Sequence, residues 1–241
     1  MDKKLTLSSL QKEIRKLADP ERAKFSAYYF KTGKGQYAEG DVFLGGISTP
    51  VSKSFSKKYQ DLSILDLEKL LSSKYHEERS VAIGILLSKF AKSKGIERKK
   101  LYDFYLNNTA HINNWDLIDV SADKIIGLYI LENPKEISIL SKLVKSKSLW
   151  ERRISIMTTF AFIKIGRFEK TFEIAEKLMN DKEDLIHKAV GWMIREIGKR
   201  DITKEEEFLK KHYKNMPRTM IRYAIEKFPE DLRKKYLLGK V

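Results

Sequence analysis

The sequence contains no cysteine, which removes disulfides, thiolate metal sites and cysteine nucleophiles together. No apolar run approaches the roughly 20 residues needed to cross a bilayer, and the opening stretch MDKKLTLSSL lacks the apolar core of a signal peptide. The four histidines, His76, His111, His187 and His212, form no H-x-x-x-H or similar ligand pair. No G-x-S-x-G element supports a serine hydrolase. Gly33-Lys34-Gly35 invites a phosphate-loop reading, but the G-x-x-x-x-G-K-[ST] spacing and a βαβ context are both missing, so nucleotide hydrolysis is rejected. These absences point to a cytoplasmic chain with no metal, no cofactor and no membrane partner.

What the chain has is charge. Its 241 residues are 42% hydrophobic and 34% charged, the balance of a folded and highly charged protein. Lys and Arg total 48 against 33 Asp and Glu, a net charge of +15, with a pI near 9.6. Such an excess suits a polyanionic partner, nucleic acid first, although many basic proteins merely carry a solvated lysine surface.

Almost every segment reads as helix. Apolar residues recur at helical spacing, as in Ser80-Val81-Ala82-Ile83-Gly84-Ile85-Leu86-Leu87. Short breaks carry the usual punctuation: Asp19-Pro20, Lys94-Gly95, Asn107-Asn108, Asn133-Pro134, Ile165-Gly166, Lys199-Arg200-Asp201, Met216-Pro217 and Phe228-Pro229. Helix pairs recurring along the chain predict an all-α fold, a superhelical α-solenoid of HEAT-like pairs forming one domain over residues 1–241. A compact helical bundle is the alternative, since the pairs show little self-similarity. One Gly-rich segment, KTGKGQYAEGDVFLGGISTP at 31–50, reads as a long loop between two helices.

Three helices carry misplaced residues. Along 114–129, Asn113 and Asp116 read as an N-cap with an acidic N3 residue. Ile118, Ala122, Ile125 and Tyr129 make the apolar stripe, with Asp116 and Asp123 on the solvated side. Asp119 lies about 85° from the stripe centre, beside Trp115. It is either an exposed acid in a salt bridge or a carboxylate placed for chemistry. Along 185–199, Ile186, Val190, Ile194 and Ile197 form the stripe, while Trp192 projects the other way among Lys188, Arg195 and Lys199. Cations around an aromatic suit phosphates and a sugar or base; packing of Trp192 on a neighbouring helix is the plainer account. In SLWERRISIMTTFAFIKIG, Arg153 shares a face with Trp150, Met157 and Phe160, so it needs an anion, carboxylate or phosphate.

With these residues in view, the chain resembles the AlkD-like DNA alkylation repair glycosylases, a family of HEAT-like repeats. The likeness runs from FSAYYFKTGKGQYAEGDVFLG through NNWDLIDVSA and LIHKAVGWMIREIGKRD to PRTMIRYAIEKF. Trp115 and Asp119 match the family's W-D-x-x-D element, Arg153 its W-x-x-R arginine, and Trp192 the tryptophan of K-A-x-G-W-x-x-R-E. Tyr29 matches an N-terminal tyrosine near the binding cleft. Lys53 stands where relatives often have arginine, and Gly45-Gly46 resembles a one-residue expansion. The resemblance implies a monofunctional glycosylase that hydrolyses the N-glycosidic bond of cationic N3- and N7-alkylpurines in double-stranded DNA, opening base excision repair. It would act as a cytoplasmic monomer, nucleoid-associated when on DNA. Asp119 would then stabilise the oxocarbenium-like sugar and orient water, and Trp115 and Trp192 would cradle the sugar. Arg153, Lys188, Arg195 and Lys199 would hold phosphates, with Tyr29 also at the DNA. A non-catalytic HEAT-repeat sensor of damaged or distorted DNA and a protein-interaction scaffold are the competing readings.

Overall fold

The computed structural model describes residues 5–241, so Met1–Lys4 of the opening stretch lie outside the described residues. It is all-α, with helix pairs stacked in the manner of HEAT-like repeats, and no strand occurs among the described residues. A lone bridge pairs Val42 with Tyr75. The chain divides into two compact units, 1–117 and 118–241.

The first unit contains α1 (Leu7–Lys16), α2 (Pro20–Tyr29), α3 (Thr49–Lys58), α4 (Ile64–Leu71), α5 (His76–Lys92), α6 (Gly95–Asn107) and the start of α7 (Trp115–Asp119). The breaks fall where Pro, Gly and Asn/Asp place them. Asp19 caps α2, accepting from the amides of Glu21 and Arg22, with Pro20 at the first helical position. Such a cap is worth about 1 kcal/mol. α5 packs on α1, α3, α4 and α6. Its first turn, His76-Glu77-Glu78-Arg79, is buried although every residue is ionisable. Each has its own partners. Glu78 takes Arg15 and Gln11 of α1, and Glu77 accepts from the amides of Leu44 and Gly45. This carboxylate organises the Gly-rich connection, which runs over 30–48 before Thr49 opens α3. Gly46 there has no room for a side chain: a Cβ would lie 1.3 Å from the Leu17 carbonyl oxygen.

The second unit contains α8 (Leu128–Glu132), α9 (Ser138–Leu143), α10 (Leu149–Thr158), α11 (Phe160–Ile163), α12 (Glu169–Leu178), α13 (Asp184–Gly198), α14 (Ile202–His212), α15 (Arg218–Ala224) and α16 (Glu230–Leu237). Its centre is α13, which packs on α10, α12, α14 and α15. The expected stripe of Ile186, Val190, Ile194 and Ile197 is wholly buried, each side chain contributing about 1.5–3 kcal/mol of transfer free energy. α15 comes so close that a Cβ on Gly191 would lie 2.4 Å from the Met220 carbonyl oxygen and 2.6 Å from Tyr223 Cβ.

The single helix expected over 114–129 is interrupted. α7 stops at Asp119, and residues 123–127 form a π-helical segment that leads into α8. Ile118, Ala122, Ile125 and Tyr129 are all buried as expected. The two flanking acids are not on a solvated side. Asp123 is buried and takes Lys164 at 2.5 Å, because a π turn carries more residues than an α turn and shifts the phase of the face. Asp116 turns inward to His76 at 2.8 Å. Asn114, rather than Asn113, accepts the Trp115 amide at 2.8 Å.

Candidate active site

In the second unit the geometry gathers around Asp119. Arg153, on α10, donates from Nε to Asp119 Oδ1 at 2.9 Å and from Nη2 to Oδ2 at 2.7 Å. Its Nη1 donates to the Leu185 carbonyl at 2.5 Å. The guanidinium is thus gripped on three sides, with side-chain exposures of 5% for Arg153 and 13% for Asp119. The anion that Arg153 requires is therefore a carboxylate. A two-bond fork fixes the plane of that carboxylate as well as its position, and leaves it at the edge of the packed interior.

Trp192, on α13, is half-buried. Its ring centroid lies 6.3 Å from that of Phe160, and its Nε1 donates to Glu196 Oε1 at 3.1 Å. Burial raises the Glu196 carboxyl, but hydrogen bonds from Lys199 and Trp192 outweigh it and hold the group below the usual carboxylate range. The indole is therefore tied to an ionised acid. The cations expected beside Trp192 are each engaged: Lys188 with Asp184 at 2.8 Å, Arg195 with Glu226, and Lys199 with Glu196. A phosphate would have to draw them from these carboxylates, an exchange that costs little for the exposed Lys188–Asp184 pair and more for the largely buried Arg195 and for Lys199 on buried Glu196.

In the first unit Trp115 sits in an aromatic group. Its ring stacks on Phe30 at 5.3 Å and 16°, meets Tyr29 nearly edge-on at 6.1 Å, and donates from Nε1 to the Tyr37 hydroxyl at 3.3 Å. Behind Phe30 lies His76, whose ring also stacks on Phe43 at 4.5 Å. His76 Nε2 pairs with Asp116 Oδ2 at 2.8 Å. On its other side Arg79 donates to Asp41 at 2.5 Å, and Asn114 donates to the same oxygen at 3.3 Å. Burial disfavours a charged imidazole here, but the Asp116 carboxylate, with Asp41 opposite, lifts it to about 9 against the Arg79 charge. His76 is thus protonated at neutral pH, an ionic anchor for the start of α7. Among the described residues, no cluster of His, Asp and Glu could hold a metal, and no helix is long and apolar enough to cross a membrane.

A model of the DNA alkylation repair enzyme family matches residues 10–228. The chain belongs to this family. A solved structure described as "Predicted DNA alkylation repair enzyme from Enterococcus faecalis" shares the fold, with a TM-score of 0.68 and 18% identity over 88% of this chain and 97% of that one. No curated protein sequence matches.

The residues that the sequence of this DNA alkylation repair family member offers for the site are Tyr29, Trp115, Asp119, Arg153, Lys188, Trp192, Arg195 and Lys199. The structure joins Tyr29 to Trp115, Arg153 to Asp119, and Lys199 to Trp192 through Glu196. It adds Tyr37, Asp41, His76 and Arg79, which support Trp115 from behind. The signal for these was His76 and Arg79 at i, i+3 in an otherwise buried helix turn, paired to acids far away in sequence.

Proposed function

We propose that the chain is a monofunctional DNA glycosylase releasing cationic N3- and N7-alkylpurines from duplex DNA, with Asp119 as its catalytic carboxylate. An alkylated purine is already a cationic leaving group, so the reaction needs no strong general acid. It needs a negative charge where positive charge grows on the deoxyribose, and a group that orients water. The observation that carries the reading is the Asp119 carboxylate held by the two-bond fork of buried Arg153 at the margin of the packed interior. Preorganised charge of this kind costs no reorganisation as the bond breaks. Trp192 offers a π-face to the sugar's growing charge. Lys188, Arg195 and Lys199 exchange their carboxylates for phosphates, and in the first unit Tyr29 and Trp115 form an aromatic contact for DNA. Arg153 acts through Asp119 as a positioning residue, which narrows the phosphate role expected for it.

The same fork favours a second reading, in which Asp119 and Arg153 only stabilise the fold of a non-catalytic DNA-binding protein. One experiment separates the two. Duplex DNA treated with a methylating agent is incubated with the native chain and with Asp119→Asn, and free N3-methyladenine and N7-methylguanine are measured. The glycosylase reading expects release by the native chain and a loss of about 10²–10³-fold in the variant, with duplex affinity kept. Equal release by both removes Asp119 from the chemistry. Salt-dependent binding without release by either establishes the non-catalytic protein.

A further inference from the structure

Among the described helices of the first unit, α2 is the one that buries none of its residues. Phe25, Tyr28 and Tyr29 are 68%, 85% and 55% exposed. Their i, i+3, i+4 spacing puts them on one face. The Phe25 and Tyr29 rings run nearly parallel, with centroids 6.3 Å apart and planes 14° from each other, and Tyr29 in turn abuts Trp115. The row thus leads from open solvent to Trp115. Soluble proteins seldom leave so contiguous an aromatic patch uncovered without using it.

The charges around the patch say what covers it. Residues 20–40 hold four cations, Arg22, Lys24, Lys31 and Lys34, against Glu21 and Glu39. Arg22 and Lys24 are engaged by Asp19 and Glu21. Lys31 and Lys34, immediately after the aromatic row, are exposed. Aromatic faces accept any flat π-surface, and neighbouring cations accept phosphates along a strand; a nucleotide supplies both.

We propose that the Phe25, Tyr28 and Tyr29 face is a stacking platform for an unstacked base of DNA, with Lys31 and Lys34 on the adjoining phosphates. The inference rests on the proposed function only in taking DNA as the ligand; it requires no base release. Bases inside a regular duplex already stack on each other, so the platform engages a base that has lost its partner or its neighbour. Its signature is a preference for DNA containing such a base.

The test is fluorescence anisotropy of the full chain with a labelled, fully paired duplex and with the same duplex carrying one bulged base. The native chain is compared with Phe25→Ala/Tyr28→Ala, whose replaced side chains are exposed and leave folding intact, as circular dichroism verifies. The native chain should bind the bulged duplex about tenfold more tightly. The double variant should lose that difference while keeping its affinity for the paired duplex. Replacing Lys31 and Lys34 by Ala should lower the salt slope on the bulged duplex by about two. Equal native binding to both duplexes, or a preference that survives in the aromatic double variant, overturns the platform. So does a native chain that dimerises through this face and binds both duplexes alike. Bulge preference without release of alkylpurines refutes the glycosylase reading and leaves the platform standing, and release without bulge preference does the reverse. Absence of any DNA binding overturns both.

Discussion

Replacing Arg153 by Met removes the guanidinium and keeps most of its length. Three donors disappear: those to Asp119 Oδ1, to Oδ2 and to the Leu185 carbonyl. What remains is a carboxylate with only 13% of its side chain exposed and no guanidinium. Breaking a buried pair from one side costs about 3–5 kcal/mol, because the remaining charge keeps its desolvation penalty. Asp119 retains some access to water, which places the change near the lower end, about 3 kcal/mol. In a chain of this size each kcal/mol moves Tm by about 2–4 °C, so calorimetry should record a fall of roughly 6–12 °C. Adding Asp119→Asn removes that charge, and the double variant should be more stable than the sum of the two single changes by at least about 1 kcal/mol. Strict additivity, or a fall in Tm below about 2 °C for Arg153→Met, would show that the pair neither holds the carboxylate nor depends on its burial.

Other consequences follow from the remaining buried ionisable groups and from close packing. His76 titrates at about 9 when folded against 6.5 when free, so its contribution to stability is fully present below pH 6.5 and is lost as pH rises toward 9. Tm should fall across that window in the native chain, and His76→Gln should flatten the slope; an unaltered slope in the variant clears His76 of responsibility. Glu205 is pushed up to about 8 by burial, against the pull of Arg195, and its Oε1 has no hydrogen-bond partner. The folded state therefore resists its ionisation, with a penalty that grows from pH 4.5 to about 8. Glu205→Gln should raise Tm at pH 8–9 and leave it nearly unchanged at pH 4.5, whereas equal shifts at both values would contradict the assignment. Gly191→Ala should cost about 1–3 kcal/mol by overpacking and shift the tryptophan emission; an unperturbed melt would mean α15 can retreat freely.

Much of this architecture can be read along the chain, and what escapes does so for a physical reason. The stripe of α13 and the buried set Ile118, Ala122, Ile125 and Tyr129 follow from periodicity, because the apolar face of a helix is a local property. The punctuation at Asp19-Pro20 and Asp201 is equally local, each aspartate accepting helix amides. A regular α phase puts Asp123 on the solvated side, whereas the segment winds as π-helix and carries it inward. Asp116 looked solvated because its partner, His76, lies 40 residues earlier. Arg153 could be seen to need an anion; which one it holds is a tertiary fact. The cations near Trp192 are legible as residues, whereas Glu226, which holds Arg195 from the turn after α15, lies 31 residues further along and is not.

The contact at Gly191 has a bearing on how this chain tolerates change. The atoms that α15 presses toward it are the Met220 carbonyl oxygen, the Tyr223 Cβ and the Ala224 amide nitrogen. Nearly every amino acid carries those atoms, so substitution along α15 leaves that contact in place. The height at which α13 carries Trp192 is thus referenced to main chain rather than to any particular side chain. Sequence drift around this point has little to grip, and the position that cannot drift is the glycine itself.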